Sequence, residues 1–134
     1  KAYGLAGVRL GFAIAERPLA ARLRDELGPW AVPGPAIEIG TRALSDDAWL
    51  SDSGARLARD RRRLDGLLTA AGFAIVGGTS LFCLAEHPRA PAIAEALAQA
   101  GIHVRRFPHT PSWIRFGIPA TFDRLAAALA RFDG

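Results

Sequence analysis

The sequence is poor in several residue types that mark particular classes of protein. It has no methionine and one cysteine, Cys83, and its 17 basic residues are all arginine except Lys1. A single cysteine excludes a disulfide within the chain and a cysteine-rich metal site. Because methionine is missing, we expect either that a start residue was removed or that the chain is a piece of a longer protein.

The chain also lacks a long apolar run. Its longest uncharged stretch, residues 66–85, is interrupted by Gly72 and by Gly77-Gly78, so it does not predict a transmembrane helix. No segment has the pattern of a secretory signal. With 50% hydrophobic residues in 134 positions, the composition excludes a mainly disordered chain and supplies the core of one ordinary domain. We expect a cytoplasmic protein without a membrane partner.

The charge is moderately basic, with a net charge of +4 and a pI of about 10.5. Basic proteins often bind nucleic acid, but a modest arginine excess in an alanine-rich chain more often reflects coding composition, so we expect no nucleic-acid partner. The basic run at residues 59–63 indicates a solvated helix face. His87, His103 and His109 are too scattered for a zinc site, so we expect no metal.

Hydrophobic periodicity predicts a mixed α/β fold. Gly77-Gly78, between two short apolar runs, predicts the turn of a hairpin. The predicted helices span residues 18–27, 36–44, 47–71, 90–100 and 121–132. The predicted strands span residues 8–15, 73–76, 80–85, 102–107 and 112–118.

An arginine stands inside the first predicted strand. Residues 8–15 are almost continuously apolar, as in a strand that is covered on both faces, apart from Arg9. A buried guanidinium requires an anion, which is either a phosphate or an internal carboxylate. A lysine amine forms Schiff bases with carbonyl compounds, and the glycines between Lys1 and Arg9 allow a tight turn. Together these residues suit an aldehyde cofactor that carries a phosphate.

Residues 1–12, KAYGLAGVRLGF, resemble the lysine motif of class I/II aminotransferases, which are fold-type I enzymes that use pyridoxal 5'-phosphate (PLP). By this resemblance Lys1 is the catalytic lysine that binds the cofactor aldehyde, and Arg9 binds the cofactor phosphate. The resemblance implies the C-terminal part of an α/β fold-type I transferase. Residues 1–44 would end the PLP-binding large domain, and residues 45–134 would form the small C-terminal α/β domain. It also implies a homodimer, and we expect little or no activity from this piece alone.

Residues 113–119, WIRFGIP, are similar to the family segment whose arginine binds the substrate α-carboxylate, so Arg115 is the predicted substrate-binding residue. Bidentate pairing of an arginine with a carboxylate would orient an amino acid over the cofactor. Residues 101–107, GIHVRRF, resemble the preceding strand, and Arg105 or Arg106 would meet a second anion of the substrate. Because neighbouring residues of a strand face opposite ways, the pattern does not choose between these two.

Within the family, residues 28–36 and 102–107 most resemble the branch that decarboxylates L-threonine O-3-phosphate to aminopropanol phosphate in cobalamin biosynthesis. The substrate would then be a small phosphorylated amino acid. Histidinol-phosphate aminotransferases usually have Asn where this chain has Pro33, but transamination stays open beside decarboxylation. A non-catalytic α/β module that binds an anionic partner through its arginines is the alternative from a different class.

Overall fold

The computed structural model describes residues 3–132, which belong to two compact units. One unit extends to Ser53 and the other starts at Gly54. From its N-terminal side, the described chain forms a 3-10 turn at Ala6–Val8 and helices α1 (Arg17–Leu27), α2 (Gly34–Leu44) and α3 (Asp47–Ala70). Helix α3 begins in the first unit and ends in the second. Then follow strands β1 (Ala74–Thr79) and β2 (Phe82–Glu86), helix α4 (Ala90–Gln99), strands β3 (Arg105–Arg106) and β4 (Trp113–Gly117), helix α5 (Phe122–Leu129) and a 3-10 turn at Ala130–Phe132. The predicted mixed α/β class is confirmed.

The helices begin and end at residues whose chemistry favours a helix end. A proline lies in the first turn of α1, α2 and α4, where its missing N–H leaves no helical hydrogen bond unmade. The Oδ1 atom of Asp46 accepts a hydrogen bond of 2.8 Å from the backbone N–H of Trp49 and thereby caps α3. Gly72, with a φ of +79°, follows the end of α3. The five predicted helices are therefore confirmed, with ends that differ by a few residues.

The second unit is built on one antiparallel sheet, in which the strands lie in the order β1-β2-β4-β3. One face of this sheet is buried against α3, α4 and α5. The buried residues of the two central strands are Cys83, Ala85, Ile114 and Phe116, and the helices contribute Leu64, Leu68, Ile93, Leu97, Leu125 and Leu129. The other face of the sheet carries the alternate residues of β2 and β4, and these are exposed or half-buried. The predicted strands of this part are confirmed, although β3 is only two residues long.

The hairpin of β1 and β2 turns at a different place from the one predicted. Gly77-Gly78 was expected to form the turn, but both glycines lie within β1 and the chain reverses at residues 80–81. Gly78 has a φ of +142°, which residues with a side chain rarely adopt. A Cβ atom there would also meet the backbone carbonyl oxygen of Phe82 and the guanidinium of Arg61. The backbone conformation, the Phe82 carbonyl and the Arg61 guanidinium together therefore favour glycine at this position.

The predicted strand over residues 8–15 is wrong. Residues 9–16 form neither helix nor strand, and Phe12 is 73% exposed. A strand covered on both faces needs neighbouring strands that complete its backbone hydrogen bonds, and no strand is formed by residues 3–53. The division of the chain into a cofactor domain, residues 1–44, and a small domain, residues 45–134, stays a prediction.

Candidate functional site

Strands β3 and β4 bring two of the predicted substrate-binding arginines together. Arg105 is paired directly with Arg115 in the antiparallel register. Directly paired residues project from the same face of a sheet, with Cβ atoms about 4.5–5.5 Å apart. Arg115 lies between Ile114 and Phe116, which are both buried on the helix-covered face, so the two arginines project from the opposite, exposed face. Within the described part of the chain, neither guanidinium forms an ion pair with a carboxylate.

Arg106 lies on the other side of the sheet. It is paired with Ile114, which is 1% exposed and belongs to the core. The side chain of Arg106 is itself exposed because β3 is an edge strand. Of the two candidates that the sequence left open, Arg105 therefore shares a face with Arg115 and Arg106 does not.

An aromatic ring supports Arg115 on the exposed face. The Cζ atom of Arg115 lies 5.1 Å from the ring centroid of Phe82, within the range in which a cation is attracted by the ring. Phe82 stands two residues before Leu84, which is paired with Arg115, so all three side chains share the exposed face. Phe82 belongs to no sequence motif that predicts a functional role. Only the pairing of β2 with β4 brings it to Arg115, and no local motif signals that pairing.

Of the two residues predicted to hold the cofactor, Arg9 lies in the first unit. Lys1 is outside the described residues. Arg9 was predicted to be buried in a strand, but it is exposed and has a left-handed backbone with a φ of 59° at the end of the first 3-10 turn. The prediction was wrong because residues 9–16 have no neighbouring strand to cover them. The Arg9 Nη1 atom donates a weak hydrogen bond of 3.4 Å to the carbonyl oxygen of Ala6.

The segment that carries Arg9 is anchored on helix α2. The side chain of Leu10 occupies the space that a Cβ atom at Gly40 would need, so the two residues are in close contact. Within residues 3–132, no carboxylate forms an ion pair with Arg9. A guanidinium that is exposed and has donors to spare suits a phosphate, so the donor chemistry at Arg9 fits the phosphate group of PLP.

Other chemistry is not supported by the residues that the structure describes. Among residues 3–132, no group of three or more His, Cys, Asp and Glu side chains could hold a metal ion. In the same range no helix is long and apolar enough to cross a membrane. Cys83 is fully buried, and its burial, together with the nearby Asp65 carboxylate, raises the pKa of the thiol to about 11. A thiol with so high a pKa is a poor nucleophile at neutral pH.

Comparison with known proteins identifies the family of the chain. Residues 1–131 match the family Aminotransferase class I and II. The chain is 44% identical to the threonine-phosphate decarboxylase of a Sinorhizobium species, over 99% of this chain and 40% of that protein. It is 42% identical to the threonine-phosphate decarboxylase of Pseudomonas aeruginosa, over 98% of this chain and 40% of that protein. The chain therefore spans about 40% of the length of these curated relatives.

A solved structure is similar over nearly the whole chain. The histidinol-phosphate aminotransferase from Sinorhizobium meliloti in complex with pyridoxal-5'-phosphate matches with a TM-score of 0.82 and 25% identity. The match covers 98% of this chain and 38% of that one. The resemblance inferred from residues 1–12 is thus confirmed, and so are the fold type and the cofactor of the family. The chain belongs to the class I and II aminotransferases, a family of PLP-dependent enzymes.

Proposed function

We propose that the chain is the C-terminal part of a PLP-dependent enzyme that decarboxylates L-threonine O-3-phosphate to aminopropanol phosphate, a reaction of cobalamin biosynthesis. The observation that carries this proposal is the direct pairing of Arg105 with Arg115 on the exposed face of the sheet. The substrate has two anionic groups, a carboxylate and a phosphate, and each would have its own guanidinium. Both curated relatives described above are threonine-phosphate decarboxylases, which supports the same substrate. We propose that the whole enzyme is a cytoplasmic homodimer.

The two arginines would share the substrate between them. Arg115, which stands beside the Phe82 ring, would bind the α-carboxylate with two parallel hydrogen bonds. Arg105 would bind the phosphate from the neighbouring strand. Two anchored ends leave a small molecule little freedom to rotate, so this pair would fix the orientation of the bond to be broken.

The remaining chemistry belongs to the cofactor and to the first unit. When bound, PLP supplies the electron sink that stabilises a carbanion at the substrate α-carbon. Arg9 would hold the cofactor phosphate, and Lys1 would hold the cofactor itself. The Nζ atom of Lys1 would also deliver a proton to the α-carbon after carbon dioxide has left.

A second candidate is a histidinol-phosphate-type aminotransferase, which the similarity to the Sinorhizobium meliloti structure favours. Histidinol phosphate carries a phosphate but no carboxylate, so Arg115 would have no anion to bind in that substrate. Transamination also needs a second substrate, an amino or keto acid, whose carboxylate Arg115 would bind, so the arginine pair suits both candidates. The similarity to the two decarboxylases favours threonine phosphate. The third candidate, a non-catalytic module that binds an anionic partner, uses the same arginines but needs no cofactor.

The test uses the full-length protein that contains this chain, loaded with PLP. With L-threonine O-3-phosphate we expect the release of one carbon dioxide for each aminopropanol phosphate formed. Amino transfer from histidinol phosphate, without carbon dioxide release from threonine phosphate, would replace the decarboxylase by the second candidate. Association with nucleic acid or acidic protein that weakens with salt, without either reaction, would favour the non-catalytic module.

A further inference from the structure

The β1–β2 hairpin is held by one arginine of helix α3. The Nε atom of Arg61 donates a hydrogen bond of 2.7 Å to Asp65, one turn further along the helix. Its Nη1 atom donates to the carbonyl oxygens of Thr79, at 2.8 Å, and Phe82, at 3.0 Å. Its Nη2 atom donates to the carbonyl oxygen of Gly77 at 3.2 Å. The guanidinium thus joins both strands of the hairpin to the helix, and its side chain is only 14% exposed.

The contact lies where the hydrogen-bond ladder of the hairpin is irregular. Strand β1 has a bulge between Ile75 and Gly77, and two consecutive glycines follow. Bulges disrupt the ladder of hydrogen bonds, and glycines leave the backbone more freedom than other residues. Arg61 donates hydrogen bonds to carbonyl oxygens on both sides of the turn. It therefore restricts the backbone where the hydrogen bonds between the strands restrict it least.

Phe82 connects the Arg61 contact to Arg115 on the exposed face of the sheet. Its backbone carbonyl accepts the hydrogen bond from Arg61, and its ring lies beside Arg115 at 5.1 Å. Arg61 approaches from the core side, since a Cβ at Gly78, which is paired with the buried Cys83, would meet its guanidinium. One residue is therefore held through its backbone by the core-side arginine while its ring supports the arginine on the exposed face.

We propose that Arg61 is a positioning residue for Arg115, which it orients by fixing the start of β2 and thereby the ring of Phe82. Arg61 itself touches neither substrate nor cofactor. The substrate side of this inference rests on the proposed function, in which Arg115 binds the substrate carboxylate. The structural side, that Arg61 controls the orientation of Arg115, holds or fails independently of any substrate.

The first experiment observes Arg115 directly by NMR in the labelled 134-residue chain. A ring beside the guanidinium shifts the Nε–H signal of Arg115, and Phe82→Leu is expected to abolish that shift. Arg61→Lys is expected to abolish most of the same shift, because an ammonium is a compact point charge that cannot copy the planar fork. Arg62→Lys, at an exposed neighbouring position of α3, is the matched control and is expected to leave the signal in place.

The double variant Arg61→Lys/Phe82→Leu distinguishes an effect of Arg61 through Phe82 from a general loss of order in the hairpin. If Arg61 acts through Phe82, the double variant shows the same Arg115 signal as Phe82→Leu alone. An Arg115 signal that is unchanged in Arg61→Lys would overturn the proposal, and so would an Arg61→Lys effect of equal size when Leu stands at position 82. Because Phe82→Leu leaves the backbone carbonyl in place, its result is available even if Arg61→Lys folds poorly.

The second experiment measures steady-state kinetics of the full-length holoenzyme with L-threonine O-3-phosphate. Arg61→Lys is expected to raise KM by about two- to fivefold, the effect of losing one cation–π contact, and to leave kcat within about twofold. A variant that merely lost folded protein would lower kcat and leave KM unchanged. A lowered kcat at constant KM would therefore contradict the positioning role. Absence of carbon dioxide release from the unaltered enzyme would instead refute the proposed function and leave the NMR result standing.

Discussion

A methyl group added at Gly78 tests how closely the Phe82 carbonyl and the Arg61 guanidinium pack around this glycine. Gly78→Ala places a Cβ atom against two groups, the backbone carbonyl oxygen of Phe82 and the Nη1 atom of Arg61. The carbonyl belongs to the paired strand β2, so it cannot move away without disturbing the sheet. The guanidinium can move, but only by giving up hydrogen bonds to the hairpin carbonyls.

The cost of this substitution has two parts. Alanine in a sparsely populated backbone region such as a φ of +142° costs about 1–3 kcal/mol. A hydrogen bond from a charged donor to a part-buried carbonyl contributes about 1.5–3 kcal/mol, and at least one of them must break. We therefore expect Gly78→Ala to lower the free energy of unfolding by roughly 2.5–6 kcal/mol.

The assay is urea unfolding of the full chain, followed by far-ultraviolet circular dichroism. The expected loss lowers the midpoint by more than about 1 M, since small proteins have m values of about 1–3 kcal/mol/M. The matched control is Gly66→Ala in the interior of α3, where a Cβ would meet no atom within 4 Å. It is expected to raise the stability by about 0.5–1 kcal/mol, the difference in helix propensity. If Gly78→Ala unfolds within about 0.5 kcal/mol of the unaltered chain, the tight packing of the Phe82 carbonyl and Arg61 around Gly78 is refuted.

Three further predictions concern the second unit. Burial, and then the charge of Arg89, lowers the pKa of His87 below its ordinary value of 6.5. The unfolded chain therefore binds the proton more readily, so the free energy of unfolding is expected to fall as the pH drops below about 6.5. Unfolding measured from pH 5 to 8 checks this, and His87→Gln is expected to show a smaller fall. Cys83, whose burial raises the thiol pKa to about 11, is expected to react with an aromatic disulfide reagent only after unfolding; fast reaction of the native chain at pH 8 would contradict this. Leu97→Ala truncates a fully buried side chain, and calorimetry is expected to show that the free energy of unfolding falls by about 2–5 kcal/mol.

The sequence predicted the elements of the fold better than their pairing. Helix α3 has a capping aspartate at its start and a glycine after its end, and such local signals suffice to place a helix. The glycines at positions 77 and 78 are typical of a turn, yet both lie within β1, where Gly78 leaves room for an arginine of α3. A contact between residues so far apart along the chain leaves no local pattern, so the turn was predicted in the wrong place.

In the candidate site, too, local motifs were informative, whereas features that depend on strand pairing could not be predicted. The sequence predicted a strand around Arg115, and Arg115 lies on the exposed face of β4; its role in substrate binding stays a prediction. Arg105 and Arg106 could not be distinguished, because the choice depends on the register between β3 and β4. Arg9 was predicted to be buried because its apolar neighbours are typical of a covered strand. The strands needed to cover it are not formed by residues 3–53.

The central claim is that Arg105 and Arg115 together bind the two anionic groups of one substrate, and a pair of neighbouring substitutions tests it most directly. The KM for L-threonine O-3-phosphate is measured in the full-length holoenzyme with Arg105→Gln and with Arg106→Gln. Loss of the Arg105 contact to phosphate is expected to raise KM by about 10- to 100-fold, which corresponds to about 1.5–3 kcal/mol. Arg106→Gln, on the opposite face of the sheet, is expected to leave KM within about twofold. An equal or larger rise of KM in Arg106→Gln would contradict the account.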